Sequence, residues 1–333
     1  MAIKVVHGLD ARPDLDVILA IGSFDGVHLG HQRLLGELVD CAQRTGRLSA
    51  VLTFSPHPRE VLQPELEPAY LSSPEERLKI LESLGLDFLV LLPFTRELAD
   101  TSAEDFVRQL HDKIRMCELW VGPGFVMGRG QEGDIARLQE LAAQVGYVLR
   151  VFPPVLAGGQ VISSTRIRSL LKEGRVREVQ ELLGRPYALS AQVSRGAQRG
   201  RHLGFRTANM MVDPTRAMPA YGVYAVWFWV DGQRFAGVAN IGVRPSFGEE
   251  ERVLEVHLLD YDGDLYGKDA RVEFVQRLRP EMRFERIPSL VEQVQRDIAL
   301  ARKILISEKG EKRVGVSEGL DAEIPVRSAA DKE

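Results

Sequence analysis

The sequence predicts an α/β protein of two domains, in which a doubly wound parallel sheet is followed by a small antiparallel β-barrel with a terminal helix. Short apolar runs alternate with amphipathic segments in the first half, whereas aromatic and β-branched runs dominate the second. The length of 333 residues suits two such domains. We place them at residues 1–184 and 185–305, and we expect residues 306–333, which are charged and aperiodic, to be a disordered tail.

The first domain is predicted from its alternating strands and helices. The predicted strands are residues 16–21, 50–54, 87–92, 119–122 and 147–152. Gly46 and Gly146 mark the ends of two helices, residues 30–44 and 134–145. Such an alternation favours a parallel sheet, in which ligands bind at the carboxyl ends of the strands.

Two capping boxes mark further helices in this domain. Ser73 is the expected N-cap of one helix, with Pro74 at the first helical position and Glu76 closing the box. Thr101 with Glu104 forms the second expected box.

The pattern changes beyond residues 184–186. Runs such as YGVYAVWFWV and VLEVHLLDY are separated by DG, PSFG and DGD turns, which is typical of antiparallel hairpins. Closure into a barrel removes exposed edges, and the amphipathic residues 288–303 predict a closing helix.

Composition excludes several classes of partner and site. The 43 Lys and Arg against 47 Asp and Glu give a net charge of −4, so we expect no nucleic-acid partner and no membrane surface. No run of about 18 apolar residues predicts a membrane span, and no signal peptide is expected. Cys41 and Cys117 lack zinc-ligand spacing, so we expect buried thiols and a cytoplasmic protein. The oligomeric state is not indicated.

The segment GSFDGVHLGH, residues 22–31, follows the first buried strand directly, and we call it the two-histidine loop. Gly22, Gly26 and Gly30 allow a ligand to approach the backbone closely. His28 and His31, one helical turn apart where a helix begins, suit the phosphates of a nucleoside triphosphate. The alternative is a strand-to-helix turn with incidental histidines; zinc is disfavoured because the spacing is not HExxH.

A second phosphate motif, ISSTRIR, combines hydroxyls with a cation at a predicted helix start. Ser163, Ser164 and Thr165 lie at this start, and Arg168 follows one turn later. An ordinary cap on a surface helix is the alternative.

The segment GRGQEG, residues 128–133, matches GxGxxG, but no acidic residue follows the next strand, which disfavours a dinucleotide cofactor.

The barrel half carries its own phosphate-binding candidates. The segment SRGAQRGRHLGFRTANM joins glycines to Thr207 and Asn209, whose oxygens suit Mg²⁺. A solvated basic loop or a weak RNA-binding tract is the alternative. Glu255 lies on an alternating strand. On the inward face of a barrel its carboxylate could accept a proton from an attacking hydroxyl, although its own pattern, taken alone, favours a surface strand residue.

These motifs, together with TFSPHP, LGRPY, ANIGVRPSFG and DLYG, resemble the prokaryotic bifunctional riboflavin kinase/FMN adenylyltransferases, the FAD synthetase family. The resemblance spans residues 1 to about 303. It implies a Rossmann-like nucleotidyltransferase sheet and a riboflavin kinase-like barrel. It also implies that riboflavin is phosphorylated to FMN with ATP and Mg²⁺, and that FMN is then adenylylated to FAD.

The resemblance assigns roles to residues. His28 and His31 would stabilise adenylyl transfer, and Glu255 would be the kinase base. The implied ATP contacts of the adenylyltransferase are Gly22, Phe24, Gly26, His28, His31, Ser164, Thr165 and Arg168. Those of the kinase are Gly200, Gly204, Thr207 and Asn209, the last two also binding Mg²⁺.

Four positions depart from the family pattern. Gly124 and Met127 replace an Asp or Asn and a Phe, Ser55 replaces an acidic residue, and Arg206 replaces a Pro. These departures keep two alternatives open: a riboflavin kinase with a degenerate adenylyltransferase domain, and a non-catalytic flavin-binding protein.

Overall fold

The computed structural model describes residues 3–10, 13–194, 205, 207–246 and 249–310. Within these ranges no helix combines the length and the apolar character needed to cross a membrane.

The chain forms two compact units. The first consists of Met1–Pro68 and Ser72–Ser164, and the second of Ala69–Leu71 and the residues from Thr165 onward. The division after Ser164 comes earlier than the boundary at residue 184 that we expect from the sequence. The two intervening helices pack with the residues that follow them, as the hydrogen bond from Ala220 N to Leu171 O illustrates.

The first unit contains a six-stranded sheet in which every neighbouring pair is parallel. Its strands, in the order β1-β4-β3-β2-β5-β6, are β1 (Lys4–His7), β2 (Val17–Ile21), β3 (Leu48–Phe54), β4 (Phe88–Leu92), β5 (Met116–Val121) and β6 (Val148–Val151). The helices are α1 (Leu29–Thr45), α2 (Pro58–Leu62), α3 (Pro74–Ser83), α4 (Arg96–Ala99), α5 (Ala103–Ile114) and α6 (Ile135–Val145). A short hairpin follows, formed by β7 (Leu156–Ala157) and β8 (Gln160–Val161). The predicted parallel sheet is confirmed.

Most helix ends agree with the sequence signals. Gly46 ends α1 in the left-handed region, at φ 64°, and the capping box of Ser73 is present at α3. The second box is wrong by one residue. Ser102, not Thr101, caps α5, because the Ser102 hydroxyl accepts the N–H of Asp105 at 3.0 Å.

The second unit contains a closed antiparallel barrel, as the sequence predicts. Its strands follow one another around the barrel as β10-β13-β12-β11-β14-β9. They are β9 (Tyr187–Ser194), β10 (Ala208–Met210), β11 (Gly222–Val230), β12 (Gln233–Ser246), β13 (Glu249–Leu258) and β14 (Asp269–Arg279). Two helices, α7 (Ser164–Glu173) and α8 (Val176–Leu183), precede it, and α9 (Ile287–Gly310) follows.

Helix α9 covers one outer face of the barrel. Its residues Ala301 and Leu305 join an apolar cluster with Val223 and Trp227 of β11. Arg279 of β14 forms a salt bridge at 2.9 Å with the buried Asp297, which fixes the helix at this face. The helix extends to Gly310, so residues 306–310, expected to belong to the tail, are helical.

The two cysteines differ in burial. Cys41 is buried as predicted, whereas Cys117 is only half-buried. Burial is the main cause that raises the pKa of the Cys117 thiol.

Candidate functional sites

The two-histidine loop joins the carboxyl end of β2 to α1. The N–H of Gly22 donates to Leu52 O at 3.1 Å, which ties the start of the loop to the neighbouring strand. Phe24 and Val27 have positive φ angles of 47° and 37°, which are uncommon for residues other than glycine. Strain of this kind is typical of functional loops that the surrounding structure holds in place.

His28 and His31 lie together at the start of α1. Their rings stack with centroids 3.7 Å apart and planes at 16°. His28 is the N-cap residue, and its Nδ1 accepts the backbone N–H of His31 at 3.3 Å. Because Nδ1 is an acceptor, a neutral His28 carries its proton on Nε2 and is a hydrogen-bond donor there.

His31 is held in its neutral form. The ring of Phe24 packs edge-on against it at 5.0 Å, and its Nδ1 is buried without a hydrogen-bond partner among the described residues. Burial, and then the neighbouring His28, hold the pKa of His31 well below its usual value. A bound phosphate would favour the protonated form and give the buried nitrogen a partner.

Helix α7 begins at this loop. The hydroxyl of Ser164, its first residue, donates to the backbone oxygen of Asp25 at 2.9 Å. Thr165 is the next residue and is exposed. Arg168 lies one turn further along, where its Nε donates to Ala69 O at 2.7 Å. Thr165 and Arg168 belong to the second unit, and Ser164 to the first.

Sequence reasoning missed the residues that support the loop. Asp25 is buried and bonds to Ser72, and Ser23 O accepts hydrogen bonds from Thr53 and from Arg77. The sequence signal that could have identified Asp25 is an acidic residue within a glycine-containing loop directly after an apolar strand. All three contacts join residues distant in the sequence, and no local pattern predicts them.

The loop after β5 contains two of the four positions that depart from the family pattern, Gly124 and Met127. Met127 is buried in the sheet core and pairs with Gly133 through two backbone hydrogen bonds. Gly124 is exposed, and a side chain there would meet no atom within 4 Å. Two of the three glycines of the GxGxxG match have a packing role, since a Cβ atom would lie 2.6 Å from Ala103 N at Gly128 and 2.6 Å from Ala103 Cβ at Gly133.

A second group of polar residues crosses neighbouring strands of the barrel. Asn209 pairs with Ser194 on one side and with Glu255 on the other, and Glu255 pairs with Asn240. We call Ser194, Asn209, Glu255 and Asn240 the outer row. Residues paired across strands point to the same face, and this face is opposite to the buried Leu254 and Val256.

The structure decides between the two faces that the sequence leaves open for Glu255. The inward face is occupied by its neighbours Leu254 and Val256, which are 1% and 0% exposed. Glu255 is half-buried on the outer face instead. Alternation shows that these residues point in opposite directions, and the larger gain from burying apolar side chains decides which of them is inside. Asn240 was missed, because its pairing with Glu255 depends on the register between β12 and β13.

The side-chain oxygens of Thr207, Asn209 and Glu255 are of the kind that suits a magnesium ion. Asn209 lies between the buried Ala208 and Met210, so it is on the outer face, and Thr207 immediately precedes this strand. A hydroxyl and a carboxamide oxygen beside a carboxylate are hard ligands that leave positions for phosphate oxygens and water. In the described ranges no group of three or more His, Cys, Asp or Glu residues could hold a metal by itself. The predicted positions Gly200, Gly204 and Arg206 lie outside the described residues.

Two family models match the chain, and they divide it between the two units. The model described as FAD synthetase matches residues 11–166. The model described as riboflavin kinase matches residues 183–305.

Curated relatives match over nearly their whole length under one name, bifunctional riboflavin kinase/FMN adenylyltransferase. The protein of Escherichia coli K12 is 36% identical over 303 residues, which cover 90% of this chain and 96% of that protein. The protein of Pseudomonas fluorescens is 38% identical over 90% of this chain and 97% of its own length. The Bacillus subtilis protein is 34% identical over 87% and 93%, respectively.

A solved structure shares the fold. The crystal structure of a Streptococcus pneumoniae protein, titled a macrolide-efflux protein, superposes with a TM-score of 0.83 at 28% identity. The match covers 90% of this chain and 99% of that one.

Proposed function

The chain belongs to the family of bifunctional riboflavin kinase/FMN adenylyltransferases, and we propose that the two-histidine loop and the outer row carry its two reactions. It phosphorylates riboflavin to FMN with ATP and then adenylylates FMN to FAD, releasing pyrophosphate. The proposal concerns which residues perform each step.

The two-histidine loop performs adenylyl transfer. A phosphate oxygen of FMN attacks the α-phosphorus of ATP, and the bond to the pyrophosphate oxygen breaks. Negative charge grows on the phosphate oxygens during this displacement, and donors already in place stabilise it. His28 supplies its Nε2–H, and His31, whose ring stacks on it, supplies a second imidazole at the same point.

The residues at the start of α7 hold the nucleotide. Ser164 is fixed at the loop by its bond to Asp25 O, and the first backbone N–H groups of a helix attract anionic oxygens. We assign Thr165 and Arg168 to the phosphates as well, since a hydroxyl and a guanidinium are suited to them.

The outer row performs the kinase reaction. The 5′-hydroxyl of riboflavin attacks the γ-phosphorus of ATP, ADP leaves, and Glu255 accepts the hydroxyl proton. The cross-strand pairing of Asn209 with Glu255 supports this assignment, because both residues share one face of the barrel. Phosphoryl transfer depends mostly on such positioning and on charge neutralisation.

Magnesium belongs with this second site. Thr207 and Asn209 would hold the ion through their side-chain oxygens. When bound, Mg²⁺ neutralises charge on the transferring phosphoryl group.

The stacked pair of His28 and His31 at a helix start is the observation that carries the assignment of adenylyl transfer. Each reaction is measured alone, one from FMN and ATP and the other from riboflavin and ATP. His28→Ala should slow FAD formation by about 10²-fold and leave FMN formation unchanged. Asn209→Ala should show the reverse pattern.

The controls for this experiment are the two reactions themselves, because the one that survives shows that the variant is folded. A folded variant in which either substitution removed both activities would overturn the assignment of separate sites. The degenerate adenylyltransferase alternative predicts that the unmodified protein makes FMN and no FAD.

A further inference from the structure

Ser72 lies between the two-histidine loop and α3, and it contacts the loop at two points. It is only 6% exposed. Its backbone N–H donates to Asp25 Oδ1 at 3.2 Å, and its hydroxyl lies 3.4 Å from the same oxygen. The hydroxyl also accepts the backbone N–H of Gly26 at 3.0 Å. One serine therefore holds both the side chain and the backbone of the loop.

These contacts lie in the strained part of the loop. Phe24 and Val27 flank Asp25 and Gly26, and both have positive φ angles. A β-branched residue such as Val27 relaxes from this conformation unless its neighbours prevent it. Val27 immediately precedes His28, so relaxation there would move the imidazole.

We propose that Ser72 is a positioning residue for adenylyl transfer. Ser72 maintains the loop in the conformation that orients His28. This inference rests on the proposed role of His28, and it adds a residue that does not touch the reacting atoms.

The kinetic signature follows from what His28 does. His28 stabilises charge that is largest in the transition state, so a displaced ring affects turnover more than ground-state binding. Ser72→Ala should lower kcat of FAD formation about tenfold and change KM for FMN less than about twofold. FMN formation from riboflavin should remain unchanged.

Ser73 provides the matched control. Its hydroxyl accepts the N–H of Glu76 at 3.1 Å and donates to the carboxylate of Glu75 at 2.8 Å, so it serves α3 and not the loop. Ser73→Ala should lower the melting temperature and leave kcat of FAD formation unchanged. Ser72→Thr, which retains a hydroxyl, should recover most of the turnover that Ser72→Ala loses.

The outcomes separate the inference from the function on which it rests. If His28→Ala, measured in parallel, forms FAD at the normal rate, the proposed site itself is wrong. If His28→Ala loses FAD formation but Ser72→Ala keeps normal kcat, Ser72 is not a positioning residue. Equal losses of kcat in Ser72→Ala and Ser73→Ala show that the role of Ser72 is merely structural.

Discussion

Gly30 lies so close to the imidazole of His28 that a Cβ atom at this position would come within 3.1 Å of the ring atoms Cε1 and Nδ1. The third glycine of the two-histidine loop therefore makes room for a side chain of the same loop. The packing of His28 alone therefore requires a glycine at position 30, whether or not a ligand approaches the backbone there.

Gly30→Ala should lower the rate of FAD formation and leave the stability of the protein nearly unchanged. Alanine favours a helix over glycine by about 1 kcal/mol, but its methyl group would displace the His28 ring. We expect FAD formation to fall at least tenfold with little loss of melting temperature. Gly36→Ala is the matched control, since Gly36 lies in α1 where an added methyl group would meet no atom of a neighbouring segment within 4 Å. Equal activity of the two variants would contradict this packing argument.

His31→Gln should change how stability depends on pH. Burial depresses the pKa of His31 in the folded protein, whereas in the unfolded chain a histidine binds a proton below about pH 6.5. The unfolded state therefore gains more protons as the pH falls, and His31 makes the free energy of unfolding decrease in that direction by at most about 1.4 kcal/mol per pH unit. Urea titrations from about pH 7.5 to 5.5 should give a shallower slope for the variant. Identical slopes would contradict the neutral state of His31.

Gly124→Asn should strengthen the adenylyltransferase half. The family pattern that the sequence resembles has Asp or Asn at this position, and the structure leaves open space there. One added hydrogen bond to the bound substrate would contribute about 0.5–1.5 kcal/mol. Isothermal titration with an ATP analogue and, separately, with FMN should show tighter binding of one of them. Unchanged affinity for both would show that Gly124 is not a defect in this chain.

Gly174→Ala should destabilise the second unit. Gly174 has φ 76°, and a Cβ atom there would lie 2.7 Å from Cδ of Arg277 and 3.0 Å from the hydroxyl of Tyr224. Left-handed backbone alone costs an alanine about 1–2 kcal/mol, and the clash adds to this. Gly146→Ala is the control with a left-handed φ of 94° and no clash. Thermal melting should show the larger loss for Gly174→Ala, and equal losses would contradict the close packing.

Local signals predicted much of the fold. The Ser73 capping box and the left-handed Gly46 act within one helical turn, so the sequence contains everything that determines them. Strand β1 was missed because its four residues are mostly exposed and show no apolar alternation. The cap of α5 was predicted at Thr101 instead of Ser102. Both residues offer a hydroxyl that could cap a helix, and only the position of the first helical turn decides between them.

The sites were predictable where their residues are neighbours in sequence. His28 and His31 are one turn apart on α1, so their juxtaposition follows from helix geometry. The bond from Ser72 to Asp25 joins residues 47 positions apart, and the pairing of Asn209 with Glu255 depends on barrel register. Contacts of that kind require the tertiary structure.

The central claim is that this chain holds two separate nucleotide sites, one at the two-histidine loop and one at the outer row. Calorimetric titration of the intact protein with a non-hydrolysable ATP analogue, at saturating Mg²⁺ and flavin, counts them directly. We expect two equivalents bound per chain. Saturation at a single equivalent would contradict the account.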